Sequence, residues 1–369
     1  MIPDCDLKQK GRQLEGQPLR NGERNDMIIL LSGEGPSRKG RTIMKEILQN
    51  RCELLLRNRD AVKEAFPWNS GMVHLCCANV YTMRGMTADT ASLKASRNVL
   101  RSRVGVFSGF RGISEDVLAT MLDVSGDAEG LMDKAKKVYE LLREEFMSSD
   151  FLPMAAIVIA QDVAESEYAQ VAARTRSLYL RMRKEHPMIT GADDSVMCAL
   201  MAMTGRDEEA LIADMETCYE RLHGEFFSGN SVQAATHVMT MLPGRAEDKC
   251  DRMLSLRDAM KTAGNKWGTY YELPVLTLLA ESGMREDMLV EDIISCDEWL
   301  AKQKGFGFFS SVSRTMRLMY AGLMTLDTSD MADAAAINGV LAAVIAQEAA
   351  TAACIAASVA AANASSSSH

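Results

Sequence analysis

From residue 44 onward the apolar positions of the chain fall into stripes of helical spacing. Leu131, Ala135, Val138, Tyr139, Leu142 and Phe146 stand at i, i+4, i+7, i+8, i+11 and i+15, one face of a 3.6-residue helix. The stripe returns further along. Laying residues 117–156 on 197–236 gives twelve identities in forty positions, among them Leu131 with Leu211, Tyr139 with Tyr219 and Phe146 with Phe226. Average composition would give roughly two or three. A weaker copy lies at half that offset, in Val171, Thr175, Leu178, Tyr179, Met182 and His186. The pattern predicts a unit of about forty residues.

Asp127 and Asp207 precede two of these stripes, with Glu129 and Glu209 in the first turn, where a capping carboxylate and the helix dipole suit them. Each long helix should stop at a short break: Gly105 to Gly112, Met147 to Asp150, Pro187 to Asp193, Ser228 to Ser231, Gly264 to Thr269 and Gly305 to Ser310. A shorter apolar helix follows each break, so the unit is a helical hairpin. One hairpin cannot bury its own stripe, and neighbours must stack. The expected fold is all-α, an α/α superhelix built over residues 44–330, either an open solenoid or a closed toroid. Sequence leaves that choice open, because closure depends on small rotations that accumulate from hairpin to hairpin.

Composition supports helices over sheets. The chain holds 26 methionines and only 6% aromatic residues, a mixture that fills gaps between close-packed helices. A net charge of −9 argues against nucleic acid and against a membrane as partners. The nine cysteines are odd in number and include no C-x-x-C pair; Cys198, Cys218, Cys250 and Cys296 sit at apolar helical positions. They read as buried free thiols in a reducing compartment, and with no secretory leader in view the cytoplasm is the expected location.

The two ends differ from the middle. Residues 1–43 carry no helical stripe and are expected to be disordered, or an extension upstream of a start at Met44. They include Gly35-Pro-Ser-Arg-Lys-Gly40-Arg41-Thr42, close to a phosphate-cradling loop. Arg replaces its lysine and no strand–helix alternation follows, which argues against nucleotide binding. Residues 331–364 are rich in alanine and are expected to form a helix packed on the repeats. Glu348 in the middle of that stretch argues against insertion in a bilayer. Residues 365–369 form a polar serine tail, expected to be disordered.

The forty-residue phase puts Phe110, Asp150, Thr190, Asn230, Tyr270 and Ser310 on one rim, with Arg111, Asp193, Asp194, Gln233 and His237 close by. Loop rims of helical repeats are where ligands bind, so Arg111, Asp150, Asp193, Asp194, Asn230, Gln233, His237 and Tyr270 are the candidate binding residues. The plainer reading makes them caps and turns, with Thr190 and Asp193 as a capping box and Ser148 or Ser228 as N-caps. Asp193, Asp194 and His237 could also serve acid–base chemistry. His186 falls at the phase of Phe146 and Phe226 and reads as a packing residue. No metal-ligand spacing and no nucleophile elbow occurs, so neither a metal nor another cofactor is expected, and Cys76-Cys77 reads as core filling.

Val106-Phe-Ser-Gly-Phe-Arg-Gly112, the segment His186 to Asp194, the segment Gly229 to His237 and the alanine-rich end together resemble a bacterial family, mostly from Firmicutes. That family is designated domain of unknown function four thousand and three. The resemblance spans about Met44 to Ser368 and implies a bacterial, cytoplasmic setting; it implies no activity, and no residue inherits a role from it. The leading expectation is a non-enzymatic helical-repeat protein that binds a peptide, protein or small ligand along its rim. The alternative is an α/α-toroid enzyme, a hydrolase or lyase acting on a glycan or polar metabolite, with Asp193, Asp194 and His237 at its mouth.

Overall fold

The computed structural model describes residues 44–326 except positions 113, 148, 150, 308, 309 and 311. The expectations for residues 1–43, for Ser148 and Asp150, and for the alanine-rich end and serine tail lie outside the described residues. Within them the chain is all-helical, with fourteen α-helices and no strand.

The helices pair in sequence as antiparallel hairpins. The pairs are α1 (Glu46–Ala65) with α2 (Gly71–Thr82), α3 (Thr90–Arg103) with α4 (Glu115–Val124), and α5 (Ala128–Glu145) with α6 (Leu152–Asp162). Next come α7 (Tyr168–Glu185) with α8 (Asp194–Met203) and α9 (Glu208–His223) with α10 (Gly229–Met241). The last two are α11 (Ala246–Thr262) with α12 (Leu273–Ala280) and α13 (Glu286–Leu300) with α14 (Arg314–Thr325). Odd-numbered helices pack side by side with the next odd one, and even with even.

The two sets differ in how they bury their surface. In α5 only the stripe Leu131, Met132, Ala135, Val138, Tyr139 and Leu142 is buried. In α6 every residue from Leu152 to Ala160 is buried, and in α10 every residue from Ser231 to Met241. A helix apolar on all sides belongs inside, and an amphipathic one outside. The even helices therefore form an inner layer and the odd helices an outer one.

Capping explains where two outer helices and one inner helix start. The Asp127 carboxylate accepts from the Gly130 N–H, and that of Asp207 from the Ala210 N–H. Ser228 does the same for Ser231 at the head of α10, so the break there is Gly224 to Ser228 and Ser231 already lies in the helix. At Gly229 the chain passes so close to α9 that a Cβ would stand 3.0 Å from the Tyr219 hydroxyl.

The hairpins close on themselves. α1 packs against both α13 and α14. Lys45 Nζ donates to Asp292 Oδ2 at 2.7 Å, and Arg59 donates to the Lys304 carbonyl at 2.8 Å while its guanidinium covers the Phe306 ring. The thiols of Cys52 and Cys296 meet at this seam as those of Cys218 and Cys250 meet between α9 and α11. Arg51 reaches across to the Leu326 carbonyl at 2.6 Å. Of the two forms open to the sequence, the contacts select the closed toroid.

Neighbouring outer helices run parallel. From α7 to α9 the contacts advance together, Ser177 to Glu208 and then His186 to Glu216. From α9 to α11 they go from Arg221 with Asp251 to Arg257 with Glu225, and from α13 to α1 from Asp292 with Lys45 to Lys304 with Arg59. Parallel order puts every turn inside a hairpin at one end of the ring. That end, where the inner helices begin, is its mouth.

Candidate site at the mouth of the ring

Asp194 opens α8, and Gln233 and His237 lie one turn apart on α10, so two adjacent inner helices bring these three side chains together. Asp194 Oδ2 accepts from the Gly191 N–H at 2.8 Å and from Gln233 Nε2 at 3.3 Å. The same Gln233 amide reaches the Thr190 hydroxyl at 3.4 Å. His237 is 0% exposed, and its Nδ1 stands 3.9 Å from Asp194 Oδ1, beyond hydrogen-bond range. Neither ring nitrogen of His237, nor Oε1 of Gln233, has a hydrogen-bond partner among the described residues.

Burial sets the charge state of this cluster. It lifts the Asp194 carboxyl to about 8, with the nearby Asp193 charge adding to the effect and the Gly191 and Gln233 hydrogen bonds opposing it. Burial also holds His237 down to about 3, with His186 contributing in the same direction. Between these values both groups are uncharged, the acid protonated and the imidazole neutral. Cys198, one turn below Asp194, is buried too, and its thiol is pushed well above its ordinary value. The cluster can therefore offer a carboxylic O–H, one imidazole N–H and three acceptors without introducing net charge.

The candidate residues do not all share this place. Asp193 borders it at the N-cap position of α8, yet its side chain makes no capping bond, and the Thr190–Asp193 capping box is not formed. Asp193 lies in helical conformation at φ −63° and ψ −31°, and Asp194 takes the Gly191 N–H instead. Arg111 ends the short turn Gly109–Arg111 of the second hairpin, half-buried. Asn230 is exposed in the first turn of α10, and Tyr270 is exposed before α12 with its N–H on the Glu272 carboxylate. These three are rim residues that do not join the cluster. His186 caps the end of α7, packs on the Tyr219 ring at 4.2 Å and shares its Nε2 with the Glu216 carboxylate at 3.0 Å.

A second buried carboxylate escaped the sequence reading. Asp116, in the first turn of α4, faces Arg97 Nε at 3.1 Å and accepts from Asn69. Burial raises it to about 6, although Arg97 pulls the other way. The available signal was the acidic pair Glu115-Asp116 heading an otherwise apolar helix, as Asp193-Asp194 heads α8. Unlike Asp194, Asp116 has a cation beside it, so it reads as a paired charge holding α3 to α4. Cys76 and Cys77 are fully buried, and burial pushes the Cys77 thiol to about 12, as core filling requires. Among the described residues no group of three or more His, Cys, Asp or Glu could hold a metal ion.

A family model described as protein of unknown function (DUF4003) matches residues 58–360. The chain belongs to this family. No curated protein and no solved structure gives a match. The matched span takes in both helices that build the Asp194–His237 cluster and most of the ring, so in this DUF4003 chain the cluster is part of the family domain itself.

Proposed function

We propose that the chain binds a small, uncharged polar ligand at the mouth of the ring, held between α8 and α10 by Asp194, Gln233 and His237. One observation carries the reading: a fully buried imidazole with both nitrogens unpaired, beside a protonated carboxyl and an unpaired amide oxygen. Buried polar atoms are almost always hydrogen-bonded, and leaving one unmet costs about 1–3 kcal/mol. A neutral set of donors and acceptors suits a neutral partner of the same kind, an amide or a hydroxyl-bearing molecule. Closure of the ring favours a small molecule over an extended peptide, because the long open groove of a solenoid is replaced by a mouth. A reducing cytoplasmic setting belongs to the same reading, supported by seven buried free thiols among the described residues.

An enzyme reading draws on the same pair. Asp194 and His237 stand close enough to pass a single proton through a bound molecule, which is what acid–base hydrolysis or elimination on a glycan or polar metabolite would need. Recovery of the bound compound separates the two: a binder returns it unchanged, an enzyme converts it and loses conversion, with binding retained, in Asp194→Asn.

The test is a thermal-shift screen of neutral polyols, sugars and amides against the wild-type chain and His237→Leu. Without ligand, His237→Leu should melt at or above the wild-type temperature, since it removes unmet buried polar atoms, a gain of about 1 kcal/mol. At least one compound should raise the melting temperature of the wild type and not of the variant. Equal responses in both proteins would remove His237 from the site.

A further inference from the structure

The turns at the mouth also carry a ring of bare apolar side chains. Trp68, Phe107, Met147, Met188, Phe227 and Tyr270 follow one another at intervals of 39 to 43 residues, one in each of six successive hairpins. The first five are 92% to 103% exposed and Tyr270 58%. Single exposed apolar residues are ordinary on a protein surface. Here the same exposure recurs at the same turn of each hairpin, and parallel packing of the outer helices sets all six at one end.

We propose that this end of the ring docks on a lipid bilayer, with the six tips entering the interfacial zone around the mouth. The arrangement is the reverse of a protein-binding surface, which gathers apolar contacts in a contiguous centre and leaves the polar groups outside. In this ring the apolar groups stand apart on the perimeter and the polar cluster lies inward. A rigid protein partner, a second copy included, would need six separate pockets to receive them. A fluid bilayer needs none, and aromatic side chains are at home at its headgroup level.

The distribution of charge agrees. Five of the seven outer helices carry an acid in the first turn, at the far end, Glu46, Glu129, Glu208, Glu247 and Glu286, beside the basic N-cap residues Lys45, Arg245 and Arg285. The last turns, at the mouth, hold Lys63, Arg103, Arg143, Lys184 and Lys261, interleaved with Glu64, Glu145 and Glu185. Acidic and basic groups are thus interspersed at the mouth, where Glu115, Asp116 and Glu272 also open inner helices, and no patch of a single sign faces the contact. No helix among the described residues is long and apolar enough to cross a membrane. The proposal stands on the ring and its turns and is independent of the ligand assigned to Asp194 and His237.

Co-sedimentation of the full chain with phosphatidylcholine vesicles tests it, using Trp68→Ala, Phe107→Ser and Phe227→Ser singly and together. All three side chains are solvent-exposed, so the melting temperature should not change. The wild type should pellet with vesicles, each substitution should weaken binding roughly tenfold, and the triple variant should stay in the supernatant. Failure of the wild type to pellet overturns the proposal, as does a triple variant that pellets like the wild type. So does a wild type that self-associates without vesicles and becomes monomeric in the triple variant, because a second copy is then the partner.

Discussion

Replacing Arg317 by methionine should cost about 3–5 kcal/mol of stability, the largest loss expected from a single change in the ring. Arg317 on α14 holds the Asp297 carboxylate of α13 through Nε at 2.7 Å and a terminal nitrogen at 3.1 Å, while its other terminal nitrogen donates to the Phe306 carbonyl at 3.0 Å. Both side chains are nearly enclosed, 14% and 8% exposed. Methionine fills much of the same volume but strands a buried carboxylate without its cation. α14 is also the inner helix that meets α1, so its loosening weakens the closing seam. Urea denaturation followed by circular dichroism reads the loss, and Asp297→Asn in the Arg317→Met background should restore a large part of it. A single variant within about 1 kcal/mol of the wild type would show that this pair contributes no more than a surface ion pair.

The second large effect is a dependence on pH that runs against the usual carboxylate behaviour. Asp194 is raised to about 8 in the folded chain from an ordinary 3.8, so above pH 4 the unfolded chain has released a proton that the folded chain keeps. That contribution favours unfolding progressively until the folded group ionises near pH 8. His237 is lowered to about 3 from 6.5, so below pH 6.5 the unfolded chain takes up a proton that the folded chain refuses. Stability from His237 therefore rises with pH up to 6.5. Between about pH 4 and 6.5 the two slopes cancel. Above 6.5 Asp194 acts alone, and stability should fall by roughly 2 kcal/mol by pH 8. Unfolding free energies for wild type and Asp194→Asn at pH 6.5 and pH 8 isolate the effect: the stability of the wild type relative to the variant should fall by roughly 2 kcal/mol across that interval. Parallel curves would mean that Asp194 is already ionised in the folded state.

The outer helices were legible in the chain because their signals are local. The stripe from Leu131 to Leu142 is the buried face of α5, and Asp127, Asp207 and Ser228 cap the helices they precede, each decided by residues within a few positions. The failure at Thr190 and Asp193 is equally local. Two consecutive aspartates compete for one free N–H, and which one wins depends on the backbone angles of the turn. Closure could not be read because it rests on pairs such as Lys45 with Asp292, 247 residues apart, whose meeting depends on the summed rotation of every hairpin between them. Of the residues expected near the rim, Asp194, Gln233 and His237 come together, and Asp193 borders them. Phase alone marks a level on the ring and not a direction, which is why Arg111, Asn230 and Tyr270 shared the level without sharing the cluster. The exposed tips at Trp68, Phe107 and Phe227 were hidden for a related reason: an apolar residue in a turn looks like core until its surroundings are known.

The mouth and the ring of tips around it both require that the first and last outer helices touch. Nitroxide labels at Ile47→Cys on α1 and Met288→Cys on α13, both solvent-exposed positions, measure this directly by pulsed dipolar spectroscopy, with Cys5 and Cys354 replaced by serine and the seven buried thiols of the described residues left unlabelled. A closed ring predicts one narrow distribution within about 20 Å, the reach of two labels on adjacent helices. An open row of seven hairpins at about 10 Å each would give roughly 60 Å and would contradict the closed ring.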